Sequence, residues 1–211
     1  EVDVPAYVRE VIEEVAFQAR ADRKIDKRSG VSQRMPITCI ENVVSNAERR
    51  ALTHGESPIV ARVTDVYAAL PSITGKFELE YEGELRGADA VARELIRGAV
   101  ANVFQGYFDR VDTRRVVEWF DLGGTLQLSD TMAAAEVLEH AGAIQGLLEL
   151  ARHAGVAPDA PPPALASAVD LVLEGLYAEK KIGRSEERGY HAAEQPRRPS
   201  RPESSSFSDE G

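Results

Sequence analysis

Apolar residues recur at three- and four-residue spacing over most of the chain, the mark of amphipathic helices. Tyr7, Val8, Val11, Ile12, Val15 and Ala16 form one stripe, with Arg9, Glu10, Glu13, Glu14 and Arg20 opposite. Pro5 falls in the first turn, where a missing N–H costs little, and the helix is expected to end near Asp22. A basic loop, Arg23, Lys24, Lys27 and Arg28, closes at Gly30. A second stripe, Ile37, Ile40, Val44, Ala47 and Ala51, predicts a helix from about Ser32, its start delayed a few residues by Pro36. Gly55 and Pro58 mark a turn. Thr64 is placed to cap a short helix, Asp65 to Leu70, that Pro71 stops.

The period then changes. Phe77, Leu79, Tyr81 and Leu85 alternate with Lys76, Glu78, Glu80, Glu82 and Glu84, which predicts one extended strand. A lone strand needs a partner, and protein outside this sequence is a candidate. From Ala88 to Phe108 the helical period returns through Val91, Leu95, Ile96, Ala99, Val103, Phe104 and Tyr107. A shorter helix is expected from Thr113 to Phe120, ending at Gly123–Gly124. Ser129 or Asp130 caps an alanine-rich helix that continues to Ala154, with a break near Gly142. Ala160 to Ala164 reads as a proline-rich linker before a last helix carrying Leu165, Val169, Val172, Leu176 and Tyr177. Beyond Gly183 the Ser, Pro, Arg and Glu content predicts a disordered tail. The expected fold class is mainly α, in three parts: a helical unit over 1–74, a strand-like arm with a helical extension over 75–183, and a tail over 184–211.

Composition agrees with helices. Hydrophobic residues are 43% and aromatics only 6%, so the core must be aliphatic. One cysteine, Cys39, excludes an internal disulfide and suits a reducing, cytoplasmic setting. No apolar run approaches the roughly 18 residues of a membrane span, and no signal peptide opens the chain. The net charge of −10 argues against nucleic acid as a partner, since a broad DNA-binding face needs surplus Lys and Arg. The first residue is Glu1 and a helix begins almost at once, so the chain reads as a C-terminal fragment of a longer protein.

Most catalytic motifs are missing from the sequence. GxxxxGK[ST] is absent: Gly75–Lys76 is followed by Phe77, and Leu70 stands where the first glycine belongs. The one Asp-Glu pair, Asp209–Glu210, follows no apolar strand, so Walker B is absent too and the chain cannot hydrolyse ATP alone. His54, His140, His153 and His191 are scattered and read as surface or cap residues; no metal-ligand set is formed. Cys39 reads as a small buried hydrophobe. Glu78 to Glu84 read as the wet face of a strand rather than a cation site.

Arg28-Ser29-Gly30-Val31-Ser32-Gln33-Arg34 carries the sharpest signal. A basic loop ends at a glycine and a Ser-x-Arg tripeptide opens a helix. Helix N-termini suit phosphate through unpaired N–H groups and the dipole, and an arginine there adds a planar, permanently charged fork. Without a ligand, the same residues make a capped surface helix with a solvated arginine.

Together with Val4-Pro5-Ala6-Tyr7 through Arg20, this stretch resembles the helical lid of AAA+ ATPases of the magnesium chelatase type. Val63-Thr64-Asp65-Val66 with Ala68-Ala69-Leu70 is similar to the closing lid helix, and Leu70 through Glu84 also looks like the chelatase-like ATPases. The lid resemblance covers about the first 85 residues, and the rest resembles their C-terminal extension loosely. Minichromosome-maintenance helicases and MoxR-type ATPases have comparable lids. The Gly-Asn-x-Arg-Glu-Leu signature of enhancer-binding activators is missing here.

The resemblance implies that Arg34 is a sensor-2 arginine with a catalytic role toward ATP phosphates, and that Ser32 and Arg34 form its cofactor-binding edge. ATP and Mg²⁺ would be held mainly by an N-terminal AAA+ core outside this sequence, and none by this fragment alone. Implied partners are that core, a homo-oligomeric ring, and a protein substrate or partner subunit. Two alternatives stand beside it: a free-standing helical interaction module, or the lid of a DNA-translocating ATPase.

Overall fold

The computed structural model describes residues 1–194. The chain is mainly helical. A two-residue strand β1 (Val2–Asp3) leads into α1 (Ala6–Ala21), and α2 (Met35–His54) leads into β2 (Ile59–Val60). β1 and β2 pair in parallel, Val2 with Ile59 and Asp3 with Val60. The start of α1 and the end of α2 are therefore tied together, and the two helices run antiparallel. A 3-10 turn, Val63–Ala69, passes into α3 (Leu70–Thr74), followed by α4 (Tyr81–Arg86) and α5 (Ala88–Phe108). Then come α6 (Arg114–Asp121), α7 (Ala134–Gly142), α8 (Leu147–Arg152) and α9 (Pro162–Ala178). A hairpin closes the described chain, β3 (Ile182–Ser185) antiparallel to β4 (Gly189–Ala192).

The core forms around α9, buried on nearly every side from Ala166 to Leu176. A helix apolar all round belongs in an interior, and α5, α7 and α8 surround it. Each fully buried Leu or Val there contributes about 1.5–3 kcal/mol. The core is shared by segments on both sides of residue 74, since α1 packs along α5. The Tyr7 hydroxyl donates to Ser167 Oγ at 2.8 Å, and Ser167 Oγ donates to the Ala61 carbonyl at 2.6 Å. That relay joins α1, α9 and the chain after β2 deep inside the protein.

Several expectations are corrected. The strand over 76–85 is only half extended. Leu79 bridges Ile25, Asp26 N–H donates to the Glu78 carbonyl at 2.9 Å, and Glu80 N–H donates to the Lys24 carbonyl at 2.9 Å. The partner is thus the chain's own basic loop. From Tyr81 the backbone turns into α4, where Gly83 lies so close to the Lys24 carbonyl that a Cβ would come within 2.5 Å. Pro71 does not stop a helix but starts one, in the first turn of α3, and the cap before the 3-10 turn is Arg62 with Asp65 rather than Thr64. Of the helix expected from Ser129 or Asp130 to Ala154, the break near Gly142 is found, α7 ending there and α8 following Gly146 (φ +89°), but the first helix begins only at Ala134. Pro162 and Pro163 open α9 instead of forming a linker. Residues 184–192, expected as tail, are the larger part of the closing hairpin, with all of β4 and the last two residues of β3. The remainder of that expected tail, 195–211, lies outside the described residues.

Candidate functional site

Arg34 stands at the mouth of α2, as the residue before the first helical turn (φ −82°, ψ −6°), with its side chain exposed. The loop delivering it is braced at both ends. Lys24 Nζ contacts Asp22 at 3.1 Å and Glu94 at 3.2 Å, Asp26 Oδ1 accepts the Arg28 N–H at 2.7 Å, and Gly30 turns the chain at φ +73°. Ser32 N–H then donates to the Lys76 carbonyl at 3.1 Å, so the extended residues 76–80 hold the loop in place. Hydrogen bonding with Arg28 keeps Asp26 below the ordinary carboxylate range.

The half-buried Ser32 starts the helix. Its Oγ accepts the Arg34 N–H at 3.3 Å and its carbonyl accepts the Met35 N–H at 3.0 Å. Pro36 has no N–H, which leaves Ile37 as the first-turn amide without an acceptor among the described residues. The helix end is therefore a poorer anion nest than the sequence suggested, and recognition of a charged oxygen here falls to the Arg34 guanidinium. That guanidinium has no acidic or carbonyl partner among the described residues. Phe17, near the end of α1, and Ile37, in the first turn of α2, are 67% and 57% exposed. The antiparallel pairing puts both toward the same end of the α1–α2 pair as Arg34.

The other half of α2 enters a buried polar network that sequence reasoning missed. Arg50 and Asp65 form a two-pronged ion pair, and Asn46 Nδ2 and the Arg62 N–H also donate to the Asp65 carboxylate, each at 2.7 Å. Arg50 reaches on to the Val60 carbonyl at 2.9 Å and the Asp130 carbonyl at 3.1 Å, and Arg62 to the Met132 carbonyl at 2.9 Å. Next along the 3-10 turn, Thr64 N–H donates to Asp170 Oδ2 at 2.8 Å. Burial, with Glu174 nearby, raises the Asp170 carboxyl to about 6. Glu174, one turn on and buried, accepts from the Tyr67 hydroxyl at 3.2 Å and from Tyr190 and Arg184 of the hairpin. Polar contacts thus tie α2 to the 3-10 turn, the 3-10 turn to α9, and α9 to the hairpin. One signal was available: Asp170 and Glu174 sit four apart in an otherwise apolar helix, where charges need partners.

Cys39 is buried, and burial pushes its thiol up to about 12. His54 Nε2 lies 2.7 Å from the Thr131 carbonyl at the surface, whereas His191, expected at the surface, is buried in the hairpin. Among the described residues no group of three or more His, Cys, Asp or Glu is placed to hold a metal ion. None of the described helices is long and apolar enough to cross a membrane. Arg34 is thus an exposed arginine at a helix start, and the glycine-rich phosphate-binding motif is missing from the sequence. No family model, curated protein or solved structure matches the chain.

Proposed function

We propose that this chain is the helical lid and C-terminal extension of an AAA+ ATPase of the magnesium chelatase type, with Arg34 sensing the phosphates of ATP. The observation that carries the reading is Arg34 itself: exposed, free of protein acceptors among the described residues, and fixed in position by a braced loop. Exposed Phe17 and Ile37 at the same end supply an apolar rim on which a nucleotide-binding core could seat.

Bound ATP would supply the developing negative charge of its terminal phosphoryl group. Arg34 stabilises that charge with a permanently protonated fork, and its preset position means little reorganisation during the reaction. Once the charge is lost the contact weakens and the lid is released. α2 then turns as a lever, because Arg50 and Asn46 fasten it to Asp65 and so to α9 and the hairpin. The event at Arg34 becomes a rigid-body rotation that a ring neighbour or a remodelled protein partner can feel.

Two measurements test the reading. The coding sequence upstream of Glu1 should contain a phosphate-binding loop and a Walker B strand; their absence would favour a free-standing interaction module, and a basic pore loop beside them would favour a DNA translocase. Titrated alone with ATP, residues 1–211 should show no binding that depends on Arg34. Micromolar binding abolished by Arg34→Ala would contradict a site completed by another domain.

A further inference from the structure

A cleft of about 960 Å³ opens between α5, the 3-10 turn, the 127–132 loop and the closing hairpin, and it involves neither Arg34 nor Ser32. Its volume is in the range of small-molecule sites. The chain carries a net charge of −10, yet four arginines, Arg86, Arg93, Arg97 and Arg184, face this one space.

Their pairing is uneven. Arg86 holds Glu94 at 2.7 Å, and Glu94 also meets Lys24 at 3.2 Å, so that carboxylate is shared between two cations. Arg93 and Arg97, one turn apart on α5, have no carboxylate within 4 Å among the described residues. Residues at this spacing lie on the same helix face, and like charges there repel. Arg184 is held as a rigid donor. Its Nη1 is bound to Glu174, its guanidinium carbon lies 5.2 Å from the Tyr190 ring centroid and 5.9 Å from that of Tyr67, and its side chain is a third exposed. Nε and Nη2 of Arg184 have no acceptor among the described residues. The remaining acids at the cleft are Glu186 and Asp130, and the Asp130 carboxylate accepts from Ser129 Oγ at 3.3 Å.

We infer that this cleft binds a small organic phosphate, with the oxyanion between Arg93, Arg97 and the free edge of Arg184. A dianion relieves the repulsion between Arg93 and Arg97 and uses guanidinium donors that the protein leaves open; a single carboxylate occupies only one fork. The rest of the lining suits a hydroxylated body with a ring. Gln127 and Ser185 offer an amide and a hydroxyl, and the half-buried Tyr177 offers an aromatic face. Because the Glu174 that clamps Arg184 belongs to the network reaching α2, occupancy of the cleft stiffens the hairpin.

Calorimetric titration of residues 1–211 with fructose 1,6-bisphosphate and with inorganic pyrophosphate tests this. Saturable binding below 1 mM is expected for the sugar bisphosphate, weakened at least tenfold in Arg93→Ala/Arg97→Ala. Alanine is the best helix former, so that variant should melt at the wild-type temperature. The single change Arg97→Glu should weaken binding as strongly. Arg34→Ala should leave it unchanged, which separates this site from the proposed lid contact. No saturable binding by either probe at 5 mM, or binding indifferent to Arg93 and Arg97, would overturn the inference. Binding of a hexaglutamate peptide but not of the phosphates would overturn it in favour of an acidic protein segment. Binding of pyrophosphate alone, at equal affinity in the double variant, would mean nonspecific ion pairing and overturn it too.

Discussion

Arg50 and Asp65 meet through two contacts, Nη1 to Oδ1 at 2.6 Å and Nη2 to Oδ2 at 3.1 Å, with both side chains almost wholly removed from water. A buried pair of this kind need not add much net stability, because desolvation offsets attraction. Its consequence is mutual dependence. Asp65→Ala leaves the Arg50 charge stranded and deprives Asn46 and the Arg62 N–H of their acceptor. The expected loss is about 3–5 kcal/mol of unfolding free energy, read by urea denaturation. A loss under 1 kcal/mol would mean the pair is not the fastening of α2 to the 3-10 turn.

Asp170 should make stability fall as pH rises. Its folded-state carboxyl is at about 6, against an ordinary value of 3.8, so between those values the folded form holds more of the proton than the unfolded form does. The favourable contribution is fully present below pH 3.8 and is lost as pH climbs through about 6. Two pH units correspond to about 3 kcal/mol. Asp170→Asn keeps an oxygen for the Thr64 N–H and cannot ionise. The stability of that variant relative to wild type should therefore rise between pH 4 and 6 and level off above 7. A difference that does not change with pH would contradict the assignment.

Two glycines in helices should respond in opposite directions to alanine. A Cβ at Gly175 on α9 would fall 2.1 Å from the Phe104 ring of α5, a helix packed against α9. Gly175→Ala forces that pair apart and should cost about 1–3 kcal/mol. At Gly106, near the end of α5, nothing lies within 4 Å. Gly106→Ala should stabilise by about 0.5–1 kcal/mol through helix propensity alone. Thermal melts of both variants check the pair, and equal effects would mean that α5 and α9 are not packed ring to backbone.

Cys39 should be silent toward thiol reagents in the folded state, since the thiol is buried and hard to ionise. Labelling by a disulfide reagent should follow global unfolding, with negligible modification in buffer and one thiol reacting in denaturant. Fast labelling of native protein would show that α2 opens locally.

These contacts divide into what periodicity reveals and what it hides. α1, α5 and α9 were readable because each presents long apolar stripes, and α5 was expected with its observed ends, Ala88 and Phe108. The segment 77–85 misled because its alternation is real only through Leu79; Tyr81 and Leu85 are also four apart, a helical spacing, and both are exposed on α4. Arg50, Asp65 and Glu174 were passed over because isolated charges in a helical pattern normally face water, and their burial depends on partners far away in sequence. The hairpin was lost to composition: Arg184, Glu186, Glu187 and Arg188 dominate it, while the apolar Ile182 and Tyr190 that anchor it in the core are few. Ser32 and Arg34 were legible as a helix start, and there the capture of the Arg34 and Met35 amides by Ser32 was the part that needed coordinates.

The claim on which the functional account rests is that the exposed Arg34 guanidinium meets phosphate charge held by another domain. In the complete protein, steady-state ATP turnover of Arg34→Ala measured beside wild type puts it most directly to the test. Turnover should fall by on the order of tenfold or more, as loss of one charge-stabilising donor implies, with the melting temperature of the lid unchanged. Turnover equal to wild type would remove Arg34 from the nucleotide site and, with it, the lid reading of this chain.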